Sequence, residues 1–214
     1  MSVPGQMSLP GLPAPAPAPP RVIGLDLSLT STGVAGDGWT EALRTKSRGH
    51  QRLRWLRRRI DELTDGADLV VVEGAAYGQG AQAGHHELAG LWWLITQDLW
   101  ERGTPYAVVS PHARTIYATG AAFPAKEHPK AQRARIAKGM VRDVVASRYG
   151  IECDGPGRYD KSDAFVLAAM GLHWMGWPLA VVPDTHRRAL GNVAWPAAVP
   201  ARAAWGGEAA VRSL

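Results

Sequence analysis

Carboxylates stand where apolar segments of this chain end, and this feature constrains the fold more than any other. Asp26 lies in the apolar run of residues 21–28, and Glu73 follows three consecutive valines. Both segments predict buried strands. An unpaired buried carboxylate costs several kcal/mol, so Asp26, which lies inside an apolar strand, needs a partner or an ion.

The order of the predicted elements indicates one α/β domain with a mixed five-stranded sheet flanked by helices. We predict strands at 21–28, 32–39, 40–47, 68–74 and 105–111, with a hairpin near Gly38. Apolar residues at spacings of three and four predict helices at about 48–63 and 85–102. Residues 111–129 are interpreted as a connection, followed by helices at about 130–148 and 161–175.

Composition sets the boundaries of this domain. Residues 1–20 alternate Pro with Ala and Gly and are expected to form a disordered leader; residues 21–177 form the domain, and 178–214 a partly ordered tail. The lone Cys153 excludes an internal disulfide and a cysteine-built zinc site. Since no membrane span or export signal is evident, we expect a cytoplasmic protein that does not contact a membrane.

The last predicted helix adds two further acids, Asp160 and Asp163, which lie one turn apart at its start. If the first and fourth strands are neighbours, all four acids share one edge of the sheet. Such a cluster requires raised pKa values or bound cations, and several carboxylates suit Mg²⁺ or Mn²⁺. Simpler interpretations stay open: Asp160 as a helix N-cap, and Glu73 as a strand end that faces water.

The charge balance favours a polyanionic partner. Lys and Arg number 24 against 19 acids, a net charge of +5. Eight basic residues occur at 44–59 without an acid, and seven more lie between Lys126 and Arg148. The second group is nearer the predicted acids, and we expect it to matter more for binding phosphates.

Four stretches in order resemble the RuvC family of Holliday-junction resolvases, within the RNase H-like superfamily. They are IGLDLSLTSTG, the segment KSRGHQRLRWLRRRIDEL with DLVVVEG, then KAQRARIA, and DKSDAFVLA. The family's usual glycine two residues after the first Asp is replaced by Ser28. The short core, the leader and the motif HRRALGNVAWP more closely resemble resolvases of actinobacterial phages, which would imply debranching of replicated phage DNA.

This resemblance implies an RNase H-like fold and a catalytic site that holds two Mg²⁺, or Mn²⁺ in their place. Its metal-binding and catalytic acids fall on Asp26, Glu73, Asp160 and Asp163. The residues expected to contact DNA are Tyr77, Arg114, Lys126, Lys130 and Arg133. Tyr77 stands one residue after the family's stacking aromatic, whose place is taken by Ala76. The helix around 85–102 matches the family's homodimer element.

The sequence thus favours a metal-dependent endonuclease that resolves Holliday junctions, or four-way DNA junctions, by paired symmetric nicks in recombination and repair. Two alternatives stay open. The chain can be an RNase H-like nuclease that cuts flaps or RNA, or a non-catalytic junction-binding protein. An actin-like kinase also opens with an Asp-containing strand, but it needs two lobes, which 214 residues do not provide.

Overall fold

The computed structural model describes residues 18–74 and 84–197, and the predicted strands and helices lie within them in the predicted order. The strands are β1 (Val22–Asp26), β2 (Thr32–Gly36), β3 (Trp39–Leu43), β4 (Leu69–Glu73) and β5 (Tyr106–Val109). The helices are α1 (Gly49–Thr64), α2 (His85–Glu101), α3 (Pro111–Thr119), α4 (Lys130–Tyr149), α5 (Arg158–Trp174) and the short α6 (Asp184–Arg187), which runs into a 3₁₀ turn at Arg188–Asn192.

The strands form one mixed sheet in the order β3-β2-β1-β4-β5, which confirms the predicted fold class. β1 pairs in parallel with β4, and β4 with β5, whereas β2 and β3 form an antiparallel hairpin beside β1. Leu25 lies opposite Val72. Asp26 and Glu73, which follow those two residues, therefore end neighbouring strands at the same edge of the sheet, as the sequence predicted.

Helices cover both faces of the sheet, and alternate residues of each buried strand serve opposite faces. Val22 packs into a core with α3, α4 and α5, while its neighbour Ile23 packs into a second core with α1 and α2. Asp26 lies four residues after Val22, so it projects toward α5. Glu73 lies four residues after Leu69, which belongs to the same core, and it projects the same way.

Helix α5 lies very close to the sheet because glycines face it. A Cβ on Gly24 would lie 2.6 Å from the backbone nitrogen of Ala168, and still closer to the carbonyl oxygen of Ala164. A Cβ on Gly33 would meet the carbonyl carbon of Asp160 at 2.5 Å. Side chains need at least 3.0 Å. Glycine at both positions therefore allows the start of α5 to reach the end of β1.

The prediction of a connection over 111–129 was wrong in its first half, which forms α3. The Ser110 hydroxyl accepts a hydrogen bond from Ala113 N at 3.1 Å, and Pro111 occupies the first helical position. Gly120 ends the helix with φ at +82°, a conformation that glycine adopts without strain. A helix of nine residues is too short to show an extended apolar periodicity, but its caps are ordinary start and stop signals.

The tail packs on α3 over its described part. Ala189 is fully buried in the core that includes α3, and the Trp195 ring stacks on Trp174 of α5 with centroids 4.9 Å apart. The predicted leader lies largely outside the described residues, as do residues 198–214. Among the described helices, none has the length and apolar character that crossing a membrane requires.

Candidate active site

Asp26 and Glu73 meet at the shared edge of β1 and β4. Asp26 is only 8% exposed, and the side chain of Glu73 is 16% exposed. The interpretation of Glu73 as a strand end that faces water was therefore wrong. The indole nitrogen of Trp92 on α2 donates a hydrogen bond of 3.1 Å to the Glu73 carbonyl oxygen. This contact fixes the end of β4 against α2.

Helix α5 brings Asp160 and Asp163 to the same edge. Its N-cap is Gly157, with φ at +78°, so Asp160 lies in the first helical turn. The alternative that Asp160 is the N-cap was therefore wrong. Asp163 is 2% exposed, and Asp160 is half-buried with its carbonyl group against Gly33. Because Gly33 lies opposite Asp26 in the sheet, the helix start is adjacent to the strand-end acids.

Arg114 of α3 lies among these acids. Its Nε is 2.9 Å from Glu73 Oε1, and another guanidinium nitrogen contacts Asp163 Oδ1. Arg114 is 8% exposed. Since Glu73 lies beside Val109 at the end of β5, the first turn of the helix that follows β5 necessarily runs next to Glu73. The sequence pointed to Arg114 as a DNA contact, and its ion pairs with the site acids were not expected.

The site is electrostatically crowded around Asp26. Burial raises the pKa of Asp26 well above its usual value, and the Glu73 carboxylate raises it further by charge and by a hydrogen bond. The Asp160 carboxylate adds to the rise, while the Arg114 guanidinium opposes it. Asp26 and Glu73 therefore compete for the positive charge of the Arg114 guanidinium.

The donor set of this site fits a hard divalent cation in chemistry, because all four acids offer carboxylate oxygens. Within residues 18–74 and 84–197, however, no three Asp, Glu, His or Cys side chains converge on one metal position. The acids form a chain of neighbours instead. Asp160 acts on Asp26, Asp26 contacts Glu73, and Arg114 links Glu73 to Asp163.

The residues predicted to contact DNA are placed as follows. Lys126, Lys130 and Arg133 are exposed, Lys126 just before α4 and the other two on its first turn. Tyr77 lies outside the described residues. Arg114 remains a predicted DNA contact, although its guanidinium is occupied by carboxylates.

The two basic groups of the sequence differ in how their charges are used. On α1, several arginines pair with acids: Arg57 with Asp98, and Arg58 and Arg59 with Glu62. On α4, by contrast, the exposed cations form no ion pair with any described carboxylate: Lys130, Arg133, Arg135 and Lys138. The basic segment of α4, defined by these four residues in its exposed first half, therefore carries positive charge that no described carboxylate neutralises.

Helix α2 has a buried face and an exposed apolar face. Leu91, Ile95 and Leu99 are buried against the sheet. Trp93 and Trp100 are 69% and 73% exposed and lie two turns apart. An exposed pair of large aromatic side chains is typical of an interaction surface.

Comparison with known proteins identifies the fold. No family model and no curated protein matches the chain by sequence. Thermus thermophilus RuvC is 20% identical with a TM-score of 0.52, covering 76% of this chain and 99% of RuvC. The T. thermophilus RuvC in complex with Holliday junction substrate is 19% identical with a TM-score of 0.50, covering 77% and 99%.

A third structure is the yeast mitochondrial Holliday junction resolvase Ydc2, 13% identical with a TM-score of 0.43 and 83% of each chain covered. The two T. thermophilus structures identify the fold, because the match covers 99% of the RuvC chain in each. The chain therefore has the RuvC fold, a mixed five-stranded sheet of RNase H-like type flanked by helices.

Proposed function

We propose that this chain is a metal-dependent endonuclease that cuts branched DNA, with four-way junctions as its main substrate. The observation that carries the proposal is the meeting of Asp26, Glu73 and Asp163 from β1, β4 and α5 at one edge of the sheet. The likeness to a RuvC that binds Holliday junction substrate supports the choice of substrate.

Asp26, Glu73, Asp160 and Asp163 are the residues that would hold Mg²⁺, with Mn²⁺ as a substitute. Bound Mg²⁺ would supply Lewis-acid activation of water and charge stabilisation at the departing oxygen. The chain's own part is to hold the carboxylates at a fixed edge and to keep Asp26 and Asp163 out of bulk water. Hydrolysis adds water to the phosphorus and breaks its bond to the 3′ oxygen, leaving a 5′-phosphate and a 3′-hydroxyl.

The basic segment of α4 is the proposed DNA-binding surface. Helix α4 packs on both α3 and α5, which carry Arg114 and the helix acids. The buried residues of α4, Val141 and Val145, lie in its second half, so the four unpaired cations lie in an exposed first half that extends from this packed region. Binding through such a surface releases counterions, and the affinity falls steeply with salt.

The exposed face of α2 is the proposed homodimer interface, which would place two sites on one junction. Trp93 and Trp100 support it, because they leave the helix with an apolar face that the core formed by residues 18–74 and 84–197 does not use. Paired symmetric nicks require two such sites. We also place the protein in the cytoplasm, or in the host cytoplasm if a phage encodes it.

Cleavage of a labelled mobile four-way junction tests the function, beside a linear duplex, a flap and an RNA–DNA hybrid, with Mg²⁺ and with EDTA. We expect symmetric nicks on the junction alone, absent in EDTA and for Asp26→Asn, with junction binding retained. Preferential cleavage of the flap or hybrid would favour the other RNase H-like nuclease. Tight junction binding without cleavage under Mg²⁺ or Mn²⁺ would favour a non-catalytic junction-binding protein.

A further inference from the structure

The ion pairs of Arg114 differ from those of a structural salt bridge. A buried structural arginine normally binds a carboxylate through two parallel, well-aligned hydrogen bonds. Here Arg114 divides its contacts between Glu73 and Asp163, which belong to different elements. None of the four contacting atoms, Nε and NH1 of Arg114, Oε1 of Glu73 and Oδ1 of Asp163, meets the geometry of a hydrogen bond, and all are buried. The guanidinium supplies charge at this position without well-formed bonds.

A metal ion at this site would have to compete with the Arg114 guanidinium for carboxylate oxygens. Glu73 and Asp163 are two of the proposed ligands, and Arg114 lies between them. A divalent cation that binds both acids and the guanidinium that contacts both acids cannot use the same oxygens at once. The chain-like arrangement of the acids, with no three at one point among the described residues, agrees with this competition.

We propose that Arg114 is an internal counter-ion, which holds Glu73 and Asp163 in the metal-free protein and leaves them when divalent cations bind. This inference rests on the proposed metal site and adds a residue that sets the affinity of that site for divalent cations. Arg114 stabilises the folded chain without metal by neutralising buried carboxylates. It also weakens metal binding, because its release has to accompany the binding of the ion.

Measuring metal binding in the absence of DNA tests this role, because no cleavage then contributes to the signal. Titration calorimetry with Mn²⁺ and melting curves in EDTA and in Mn²⁺ are compared for wild type, Arg114→Gln and Arg114→Lys. We expect Arg114→Gln to melt lower in EDTA, to bind Mn²⁺ about 10-fold or more tightly, and to gain more melting temperature from Mn²⁺ than wild type. Arg114→Lys keeps a charge that reaches less far, and it should fall between the two.

The control is Arg44→Gln, which removes the same charge from an exposed position after β3. We expect its Mn²⁺ affinity and its melting temperature in EDTA to equal those of wild type. The Nε–H resonance of Arg114 gives a second, direct readout by NMR. It should shift and exchange faster with water when Mg²⁺ is added, whereas a static ion pair would leave it unchanged.

The outcomes separate this inference from the proposed function. If Arg114→Gln binds Mn²⁺ no more tightly than wild type while both cleave junctions, the counter-ion role is overturned and the nuclease stands. If neither binds Mn²⁺ and neither cleaves, both the metal site and the counter-ion role are overturned. Should Arg114→Gln fail to fold, Arg114→Lys and the wild-type resonance decide the question. An unchanged Mn²⁺ affinity of Arg114→Lys, together with a static resonance, would refute the role.

Discussion

The close contact of α5 with the sheet predicts a large effect for Gly24→Ala. The added Cβ would lie 2.6 Å from Ala168 N and closer to the Ala164 carbonyl oxygen, where 3.0 Å is the practical minimum. The contacts are with helix backbone, so relief requires α5 to recede by several tenths of an ångström or more. Residues 162–172 of α5 are all buried, which means that the helix cannot move without disturbing the core around it.

Overpacking typically costs about 1–3 kcal/mol, and we place Gly24→Ala at the upper end because backbone has to move. For a domain of this size, about 3 kcal/mol corresponds to a fall in melting temperature of roughly 6–12 °C. Junction cleavage should fall by about 100-fold, since α5 carries Asp160 and Asp163 and a displacement near 1 Å has this effect. Calorimetry and single-turnover cleavage measure the two quantities.

Gly139→Ala is the matched control, because a Cβ at this position of α4 meets nothing within 4 Å. Replacing a helical glycine there should raise the melting temperature by about 2–4 °C, corresponding to a gain of up to about 1 kcal/mol. If Gly24→Ala melts at the wild-type temperature and cleaves normally, the close approach of α5 does not position the site, and the reasoning is refuted.

Three further predictions concern the surfaces and the pH dependence. Replacing Trp93 and Trp100 with Glu should give a monomer by light scattering with unchanged helical circular dichroism; a persisting dimer would exclude the α2 interface. Replacing Arg135 and Lys138 with Gln should lower the salt-dependence slope of junction binding by about one unit per cation, whereas an unchanged slope would exclude the basic segment of α4.

Burial, and then the charge of Arg187, lower the pKa of His173. Stability conferred by neutral His173 is therefore present above the unfolded value of about 6.5 and is lost as the pH falls through the lower folded pKa. His173→Gln should reduce the loss of melting temperature on acidification, and an unchanged loss would contradict this assignment.

The sequence predicted the elements whose pattern is local. The continuous apolar runs of β1 and β4 are visible in any short window, as are the leucine stripe of α1 and the two apolar faces of α2. Period-two alternation then determines which way a strand-end residue points. The meeting of Asp26 with Glu73 followed once the two strands were taken as neighbours, which the parallel pairing confirms.

Helix α3 and the ion pairs of Arg114 escaped prediction for a physical reason. The helix has only nine residues, so its formation depends on packing against α4, α5 and the tail. Its caps were visible in the sequence at Ser110, Pro111 and Gly120. The family resemblance assigned Arg114 to DNA contact, whereas this residue lies one turn into a packed helix and is buried.

The close approach of α5 to the sheet is the other property that no local sequence pattern encodes. Gly24 and Gly33 lie on different strands, and only the tertiary structure shows that both face one helix. Their missing side chains let α5 approach closely enough for Asp163 to reach Arg114, which in turn reaches Glu73. The Arg114 guanidinium from α3 then offsets the free-energy cost of burying these acids close together. Buried acids gathered this closely need a counter-charge, and the position of Arg114 satisfies that need.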